Sequence, residues 1–433
     1  MKTQQRIRSP SSPWLGVMLL LAALLTNAPS QAQVKLTLRG SYSDGFHTSD
    51  GAGDPGAFAY DVRVVGRYAY VAVFSADGRK GSLLVIDVSD SAQPRRVGVY
   101  QSRSSVTQLQ VVGNYAYLGE SGDFRGVSSG LQIIDVRDPA NPALAGELGL
   151  AGEVGTVAAA RVLGHFAYVG GERKLVVIDV SDPVSPKRIG GLPAQVSSLD
   201  VVGSYAYVGG SSGLLVIDVS NPAAPTLVGS YPIDQVNSIT VKAVGNYVFL
   251  SASYGDSNGS LPTRGFDVID VRDASQPQRV GGDDGSGHAS DFLVIGNYAF
   301  LPSSVFDGQN PWYRHLAVFD VSSPPAPVLL GTFDMPGLPR IRLDAVGKTL
   351  YVAGYASGLL IFDIGFPPGS FLNPPLRSPD KLSLSWNGGA GIKLQTAPSL
   401  TPPNWQDVPG TDGASSVELP LTDPSAFFRL VKP

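Results

Sequence analysis

The chain has 433 residues, a formal net charge of −4, 43% hydrophobic residues and no cysteine. The lack of cysteine excludes disulfide bonds, thiolate metal sites and cysteine nucleophiles. Mild acidity without a cluster of Lys and Arg argues against nucleic acid as a partner, because phosphates require a concentrated basic surface. The chain is long and apolar enough to bury a core without disulfides.

The first 32 residues have the pattern of a secretory signal peptide. Three basic residues precede an apolar segment over residues 14–25, which is too short to cross a bilayer as a helix. Ser30-Gln31-Ala32 is a small-x-Ala site, which predicts cleavage after Ala32. We therefore expect a protein that is secreted or located at the cell surface or in the periplasm, with no transmembrane segment in the mature chain. A retained membrane anchor is the alternative.

Residues 61–364 contain seven copies of one unit. Each copy has an apolar run that ends before a Gly, a run rich in Tyr or Phe, and a run similar to Leu-x-Val-Ile-Asp-Val, as in residues 196–219. Short strands that recur every 40 to 50 residues or so are typical of a β-propeller or a β-solenoid. Several strands are apolar on both faces, which indicates that each unit lies between two neighbours.

The seventh unit ends at Ile364 without a fourth strand. The Leu-x-Gly-x-Tyr pattern of that strand occurs instead at residues 38–42. We predict that this N-terminal segment pairs beside residues 359–364 and closes the ring, since closure removes exposed strand edges. The predicted fold is all-β, with a seven-bladed β-propeller over residues 33–366. The Asp that ends each third strand, such as Asp218, is expected to accept backbone N–H groups in the following turn.

These units resemble the LVIVD repeat. The motif is found as LVIDV at residues 84–88 and again at residues 215–219. The resemblance covers about residues 36–366 and implies a secreted or cell-surface bacterial β-propeller. It implies no catalytic residues, because members of the family are mostly without an assigned activity.

The C-terminal part is predicted to be separate from the propeller. Residues 367–379 are rich in Pro, which indicates a stiff linker. Residues 380–433 contain four short strand patterns and are predicted to form a small β-module. Its WQDVP and FFRL segments resemble a C-terminal module common on secreted proteins of the Verrucomicrobia and related bacteria. Trp386 and Trp405 are interpreted as core aromatics, with a sugar-stacking pair as the alternative.

The loops of variable length all fall at one end of the predicted blades, here called the long-loop face. The Gly turns and the Asp-Pro turns share the other end and are short in nearly every copy. A rigid fold that carries its insertions on one face displays a binding surface there. Aromatic, Arg and His side chains suit stacking on a sugar ring or gripping a peptide, although Trp312 has the alternative role of pinning its own loop. The long loops span residues 45–58, 75–82, 120–130, 253–265, 283–291 and 303–315, and the candidate ligand-binding residues are Tyr254, Arg264, His288, Trp312, Tyr313 and His315.

No stretch of the sequence matches a nucleophile elbow, a phosphate-binding loop or a known metal-ligand spacing, so we assign no catalytic residue, no metal site and no cofactor. We predict an exported, monomeric, non-catalytic propeller that binds a protein or polysaccharide partner through its long-loop face. One alternative is an extracellular propeller hydrolase or lyase that acts on glycans, because propellers assemble carboxylate pairs from distant blades. The other is a purely structural cell-surface protein.

Overall fold

The computed structural model describes residues 34–44, 46, 56–75, 80–121, 129–234, 236–254, 265–285, 287–305, 313–335, 341–366, 376–377, 381–386, 392–397, 404–420 and 427–431. The predicted signal peptide and most of the predicted linker lie outside these residues. The described chain is almost entirely β, with one short helix, α1 (Ala151–Val154). No described helix has the length and apolar character required to cross a membrane.

Within residues 34–366, the described strands form seven antiparallel sheets. They are numbered 1 to 7 in the order in which the strands from β2 to β29 occur along the chain. The strand β1 (Lys35–Tyr42) precedes all of these and is described after them. Sheet 1 contains β2 (Ala57–Val65), β3 (Tyr68–Ser75), β4 (Gly81–Asp87) and β5 (Arg95–Ser102); sheet 2, β6 (Ser105–Val112), β7 (Tyr115–Ser121), β8 (Gly130–Asp135) and β9 (Ala143–Gly149); sheet 3, β10 (Val157–Leu163), β11 (Phe166–Gly171), β12 (Lys174–Asp179) and β13 (Lys187–Pro193). Sheet 4 contains β14 (Ser198–Val202), β15 (Tyr205–Gly210), β16 (Gly213–Asp218) and β17 (Thr226–Tyr231); sheet 5, β18 (Val236–Val244), β19 (Tyr247–Tyr254), β20 (Phe266–Asp270) and β21 (Gln278–Asp283); sheet 6, β22 (His288–Ala289), β23 (Leu293–Ile295), β24 (Tyr298–Val305), β25 (Tyr313–Asp320) and β26 (Val328–Asp334); sheet 7, β27 (Arg342–Val346), β28 (Thr349–Ala353) and β29 (Leu359–Gly365).

The N-terminal strand β1 is the fourth strand of sheet 7. It runs antiparallel to β29, with Leu38 opposite Phe362 and Tyr42 opposite Leu359. The exposed Arg39 guanidinium also contacts the Asp363 carboxylate at 2.7 Å. The predicted pairing of the N-terminal segment with the last strand of the repeats is therefore confirmed.

The apolar core lies between consecutive sheets. Between sheets 1 and 2, for example, Val85 packs in one cluster with Leu109 and Leu118. An equivalent cluster joins the last sheet to the first, with Ile361 of sheet 7 beside Val62 of sheet 1. Each sheet therefore buries both of its faces, as the continuous apolar runs in the sequence predict.

The Asp at the end of the third strand holds the turn that follows it. The Asp218 carboxylate accepts the N–H of Ser220 at 2.8 Å. Hydrogen bonds from the Ser220 hydroxyl and from this N–H lower the pKa of Asp218. This confirms that these carboxylates have a structural role in the turns. The same bond to the residue two positions later is made by Asp87, Asp135, Asp179, Asp270 and Asp320.

A Gly in the fourth strand lets the turn of the next sheet approach closely. A Cβ atom added at Gly229 of sheet 4 would lie 2.1 Å from the carbonyl oxygen of Ala274 in sheet 5. Gly40 of β1 makes the corresponding approach to Ser91 of sheet 1, where an added Cβ would lie at 2.2 Å. Strand β1 thus has both the strand pairing and the close Gly contact that are typical of the fourth strand.

The C-terminal residues form two small three-stranded sheets around their own core. Trp386 is buried there beside Leu394, and the Arg429 guanidinium lies 4.4 Å from the ring centroid of the partly buried Trp405. Part of the predicted linker, β30, pairs with the strand after it. The strands are β30 (Leu376–Arg377), β31 (Lys381–Ser385), β32 (Lys393–Ala397), β33 (Gln406–Asp407), β34 (Ser416–Pro420) and β35 (Phe427–Val431).

Substitution of Gly229 by Ala should destabilise the protein, because the added methyl group would overlap the Ala274 carbonyl oxygen. We expect Gly229→Ala to lower the free energy of unfolding by about 1–3 kcal/mol, the usual cost of overpacking, in urea denaturation. Gly331→Ala is the matched control, since Gly331 has the same place in sheet 6 and no described residue lies within 4 Å of a Cβ atom added there. Equal stability of the two variants would contradict the close approach.

Candidate functional site

The six residues predicted to bind a ligand belong to sheets 5 and 6 and the loops beside them. Arg264 and Trp312 lie outside the described residues. Tyr254 is the last residue of β19, His288 is the first of β22, and Tyr313 is the first of β25. Because neighbouring strands are antiparallel, these three backbone positions fall at the same end of their sheets, which is the long-loop face.

His315, the sixth candidate, lies in the interior of sheet 6. It is directly opposite Ser303 in the register of β24 and β25, and its Nε2 atom lies 3.0 Å from the Ser303 Oγ atom. Only 8% of His315 is exposed. The burial of His315 and its hydrogen bond with Ser303 indicate a core residue that links two strands of the sheet.

Sheets 5 and 6 are joined beside these candidate positions. The Ser251 hydroxyl, which is fully buried in β19, accepts the N–H of Ala289 in β22 at 2.9 Å and donates to the Gly265 carbonyl at 2.8 Å. This bond fixes the backbone of β22 against β19. The positions of Tyr254 and His288 are therefore set by the framework.

The first strands of the sheets, here called the inner strands, lie side by side. β27, β2, β6, β10, β14 and β18 follow one another in this way, and β23 lies beside β27. A strand edge in such a position has backbone N–H groups without a strand partner. The polar side chains on the inner strands supply the missing acceptors.

Asp200 shows how one carboxylate joins two inner strands. Its Oδ1 atom accepts the N–H of Val201 at 3.2 Å, and its Oδ2 atom accepts the N–H of Ala243 in the next sheet at 3.0 Å. Asp344 repeats the arrangement between sheet 7 and sheet 1, with a bond from the Val64 N–H at 2.6 Å. Similar bonds link Asp61 to Leu109, Gln110 to Val162 and Asp291 to Leu343.

A cavity of about 340 Å³ is lined by the inner strands. It also contacts Val65 and Val111, which lie one and two positions before the turn glycines Gly66 and Gly113, so it lies at the short-turn end of the sheets. In every repeat the residue three positions before the turn Gly contributes to its wall. These residues are Arg63, Gln110, Arg161, Asp200, Lys242, Leu293 and Asp344.

Burial controls the charges of this cavity. It raises the pKa of Asp61 and of Asp344, although the Arg63 guanidinium opposes both shifts. It also lowers the pKa of the Arg161 guanidinium, which Asp200 opposes and the positive charge of Arg63 reinforces. The cavity therefore contains ionic groups that are strongly desolvated and interact with one another.

A second cavity, of about 380 Å³, lies at the long-loop end of sheet 2. Its lining includes Arg103, Glu120 and Glu147. Glu120 is 6% exposed and accepts a hydrogen bond from the Ser102 hydroxyl, and burial raises the pKa of Glu120. Nearby, the buried Gln132 Nε2 atom has no hydrogen-bond partner among the described residues. Glu120 is therefore a desolvated carboxyl group in the wall of a cavity.

Neither cavity was predicted from the sequence. A signal for the first was present, because a polar residue recurs between apolar ones three positions before the turn Gly, as in Arg63, Gln110 and Asp200. For the second, Glu120 stands alone and no spacing marks it. The described residues hold no group of three or more His, Asp or Glu side chains placed to bind a metal ion.

Known structures of the same architecture are similar to this chain. The WD40 β-propeller domain of Doa1 has a TM-score of 0.52 at 11% identity, over 78% of this chain and 99% of that one. The Pan2 WD40 domain of Neurospora crassa has a TM-score of 0.51 at 12% identity, over 78% of this chain and 98% of that one. At these identities the likeness shows the fold alone, which is an all-β propeller. No curated protein matches the chain.

The family model described as the LVIVD repeat matches five segments of the sequence. The segments are residues 56–102, 104–148, 152–191, 193–232 and 286–335. Together they make up just over half of the chain, and they contain the strands and Asp turns of sheets 1 to 4 and of sheet 6. The chain therefore belongs to the LVIVD repeat family.

Proposed function

We propose that the seven sheets form a closed ring of seven blades. Two observations support this ring. The residue three positions before each turn Gly lines one shared cavity, and Asp344 of sheet 7 accepts the Val64 N–H of sheet 1. Strand β1 completes the last blade, so the propeller would extend over residues 33–366.

Replacement of Asp344 tests the closing contact. Asp344→Ala leaves the Val64 N–H without its acceptor, and an unsatisfied buried donor costs about 1–3 kcal/mol. We expect the free energy of unfolding in urea to fall by that amount. The matched control is Asp234→Ala. Asp234 is exposed in the loop between β17 and β18, and its replacement should change the free energy of unfolding by less than about 0.5 kcal/mol. Unchanged unfolding of Asp344→Ala would reject the contact.

We propose that the protein is an exported, non-catalytic, monomeric propeller that binds a protein or polysaccharide partner through its long-loop face. The signal-peptide pattern of residues 1–32 supports export. Residues 380–433, joined by the linker at 367–379, would form a separate module for attachment or sorting, like those on Verrucomicrobial secreted proteins. Loops on a rigid scaffold are a common arrangement for recognition.

The observation that carries this proposal is the fixed position of three candidate residues. Tyr254, His288 and Tyr313 begin or end strands at the same end of two sheets, and the bond between Ser251 and Ala289 holds those sheets together. Binding to a surface that is already ordered loses less conformational entropy than binding to a mobile one. In the sequence, Trp312 directly precedes β25, and Arg264 lies two positions before β20.

A glycan array and a pull-down screen with the purified protein test the long-loop face. We expect Trp312→Ala and Tyr313→Ala each to lower the affinity for the partner that the screens identify by at least tenfold, because aromatic anchors dominate binding energies. Trp405→Ala is the control, since Trp405 lies just before β33 among the C-terminal residues and its ring is 4.4 Å from the Arg429 guanidinium. Equal affinity of both loop variants and the unaltered protein would show that the partner binds elsewhere.

A glycan hydrolase or lyase is the second candidate function, and Glu120 is the observation that favours it. A glycosidase needs one carboxylic acid whose pKa is raised and a second carboxylate nearby. Glu120 has a raised pKa because of burial, and Glu147 lines the same cavity. However, Glu147 is already engaged in an ion pair with Arg103, which is why binding remains the preferred function.

Catalysis is tested by incubating the protein with each glycan that it binds and measuring reducing ends or unsaturated products. If Glu120 is the general acid, the rate of Glu120→Gln should be at least about 100-fold lower than that of the unaltered protein, which is the scale of general acid catalysis. Glu172→Gln, at an exposed position of sheet 3, should retain full activity. No product from the unaltered protein would reject this second candidate.

A further inference from the structure

The cavity at the short-turn end contains cations from alternate sheets. Arg63 is in sheet 1, Arg161 in sheet 3 and Lys242 in sheet 5, each three positions before its turn Gly. Their long side chains occupy equivalent positions of alternate units, and all three line the same cavity. A volume of about 340 Å³ is within the range of sites for small ligands.

Two cations of the cavity face solvent more than the carboxylate between them does. The side chains of Arg161 and Lys242 are 25% and 36% exposed, and that of Arg63 is 24% exposed. The side chain of Asp200, which contacts Arg161 and Lys242, is only 7% exposed. A molecule in the cavity can therefore reach these two cations more easily than it can reach Asp200.

The acids have little remaining capacity for these cations. Asp200 accepts two backbone N–H groups and contacts the Lys242 ammonium at 3.1 Å, while the Arg161 Nε atom lies 3.7 Å away. Asp344 likewise accepts backbone N–H groups through both of its oxygens. One carboxylate is thus shared by two cations, and both of its oxygens already hold the wall together.

Arg161 is the least compensated of the three cations. Arg63 contacts the Asp61 carboxylate at 2.8 Å, whereas Arg161 has no carboxylate oxygen at hydrogen-bond distance among the described residues. The lowered pKa of Arg161 agrees with this difference. A desolvated guanidinium with spare N–H donors favours a ligand that brings two oxygens and a negative charge.

We propose that this cavity binds the carboxylate or phosphate group of a small anionic ligand, held by Arg161 and Lys242 with Arg63 beside them. The site lies at the end of the sheets opposite the long-loop face and does not depend on the partner proposed there. Carboxylate and phosphate share the required chemistry, which is a compact anion with several oxygen acceptors. The two sources are separated by the choice of probe.

Isothermal titration of the purified protein with citrate and, separately, with inorganic phosphate tests the site. Ionic strength is held constant with KCl, because screening alone alters charge interactions. We expect saturable binding of at least one probe, weakened by at least tenfold in Arg161→Gln and in Lys242→Gln, which corresponds to about 1.4 kcal/mol. Citrate binding alone would identify a carboxylate ligand, and phosphate binding alone a phosphorylated one.

Arg137→Gln is the matched control, because Arg137 is an exposed Arg at the same end of the sheets. Among the described residues, its guanidinium forms an ion pair with Asp135 of its own turn and does not line the cavity. This variant should bind the probes as the unaltered protein does. Circular dichroism and thermal unfolding show whether each variant is folded. If one of the two cavity variants does not fold, the other still tests the site. Absence of saturable binding, or equal weakening by Arg137→Gln, would overturn the proposal.

Discussion

The bond between a side-chain carboxylate and the backbone N–H of the neighbouring sheet is the interaction on which the structure depends. An inner strand has one edge without a strand partner, and its N–H groups would otherwise be buried unsatisfied. Asp200 and Asp344 supply acceptors at that edge and at the same time tie consecutive sheets together. The polar character of the cavity follows from this requirement.

The repeats share their packing residues and differ in the residues that line the cavity. Apolar side chains such as Val85 and Leu118 serve the same purpose between every pair of sheets, so the framework tolerates little change there. Three positions before the turn Gly, the units instead carry three cations, two acids, one amide and one Leu. Variation at equivalent positions of one framework is how a symmetric fold acquires an asymmetric site.

Much of the fold could be predicted because its signals are local. The pairing of β1 with β29 followed from a missing fourth strand and a matching pattern near Leu38, and the role of Asp218 followed from the turn after it. The cavity could not be predicted in the same way, since the contact between Asp200 and Ala243 joins residues 43 positions apart. Periodicity reports which residues share a strand face, and it does not report which side chains of different units line one cavity.

The candidate site shows the same limit. Composition grouped His315 with Tyr313, yet His315 lies inside β25, opposite Ser303, and is buried. Neighbouring sheets pack against both faces of this strand, and the composition of one loop does not report such packing. Aromatic residues next to long loops remain a reasonable prediction of a binding surface, because the framework sets the backbone positions of Tyr254 and Tyr313 at the strand ends.

The position of β1 also has a consequence for the order of assembly. A ribosome delivers this strand before the other strands of the seven sheets and its partner β29 after them, with more than 300 residues between Arg39 and Asp363. Until β29 emerges, β1 has no edge to join in sheet 7, and the closure of so long a loop is entropically unfavourable. Sheet 7 therefore gains its fourth strand only after all the repeats have been made, so it is the last of the seven sheets to become complete.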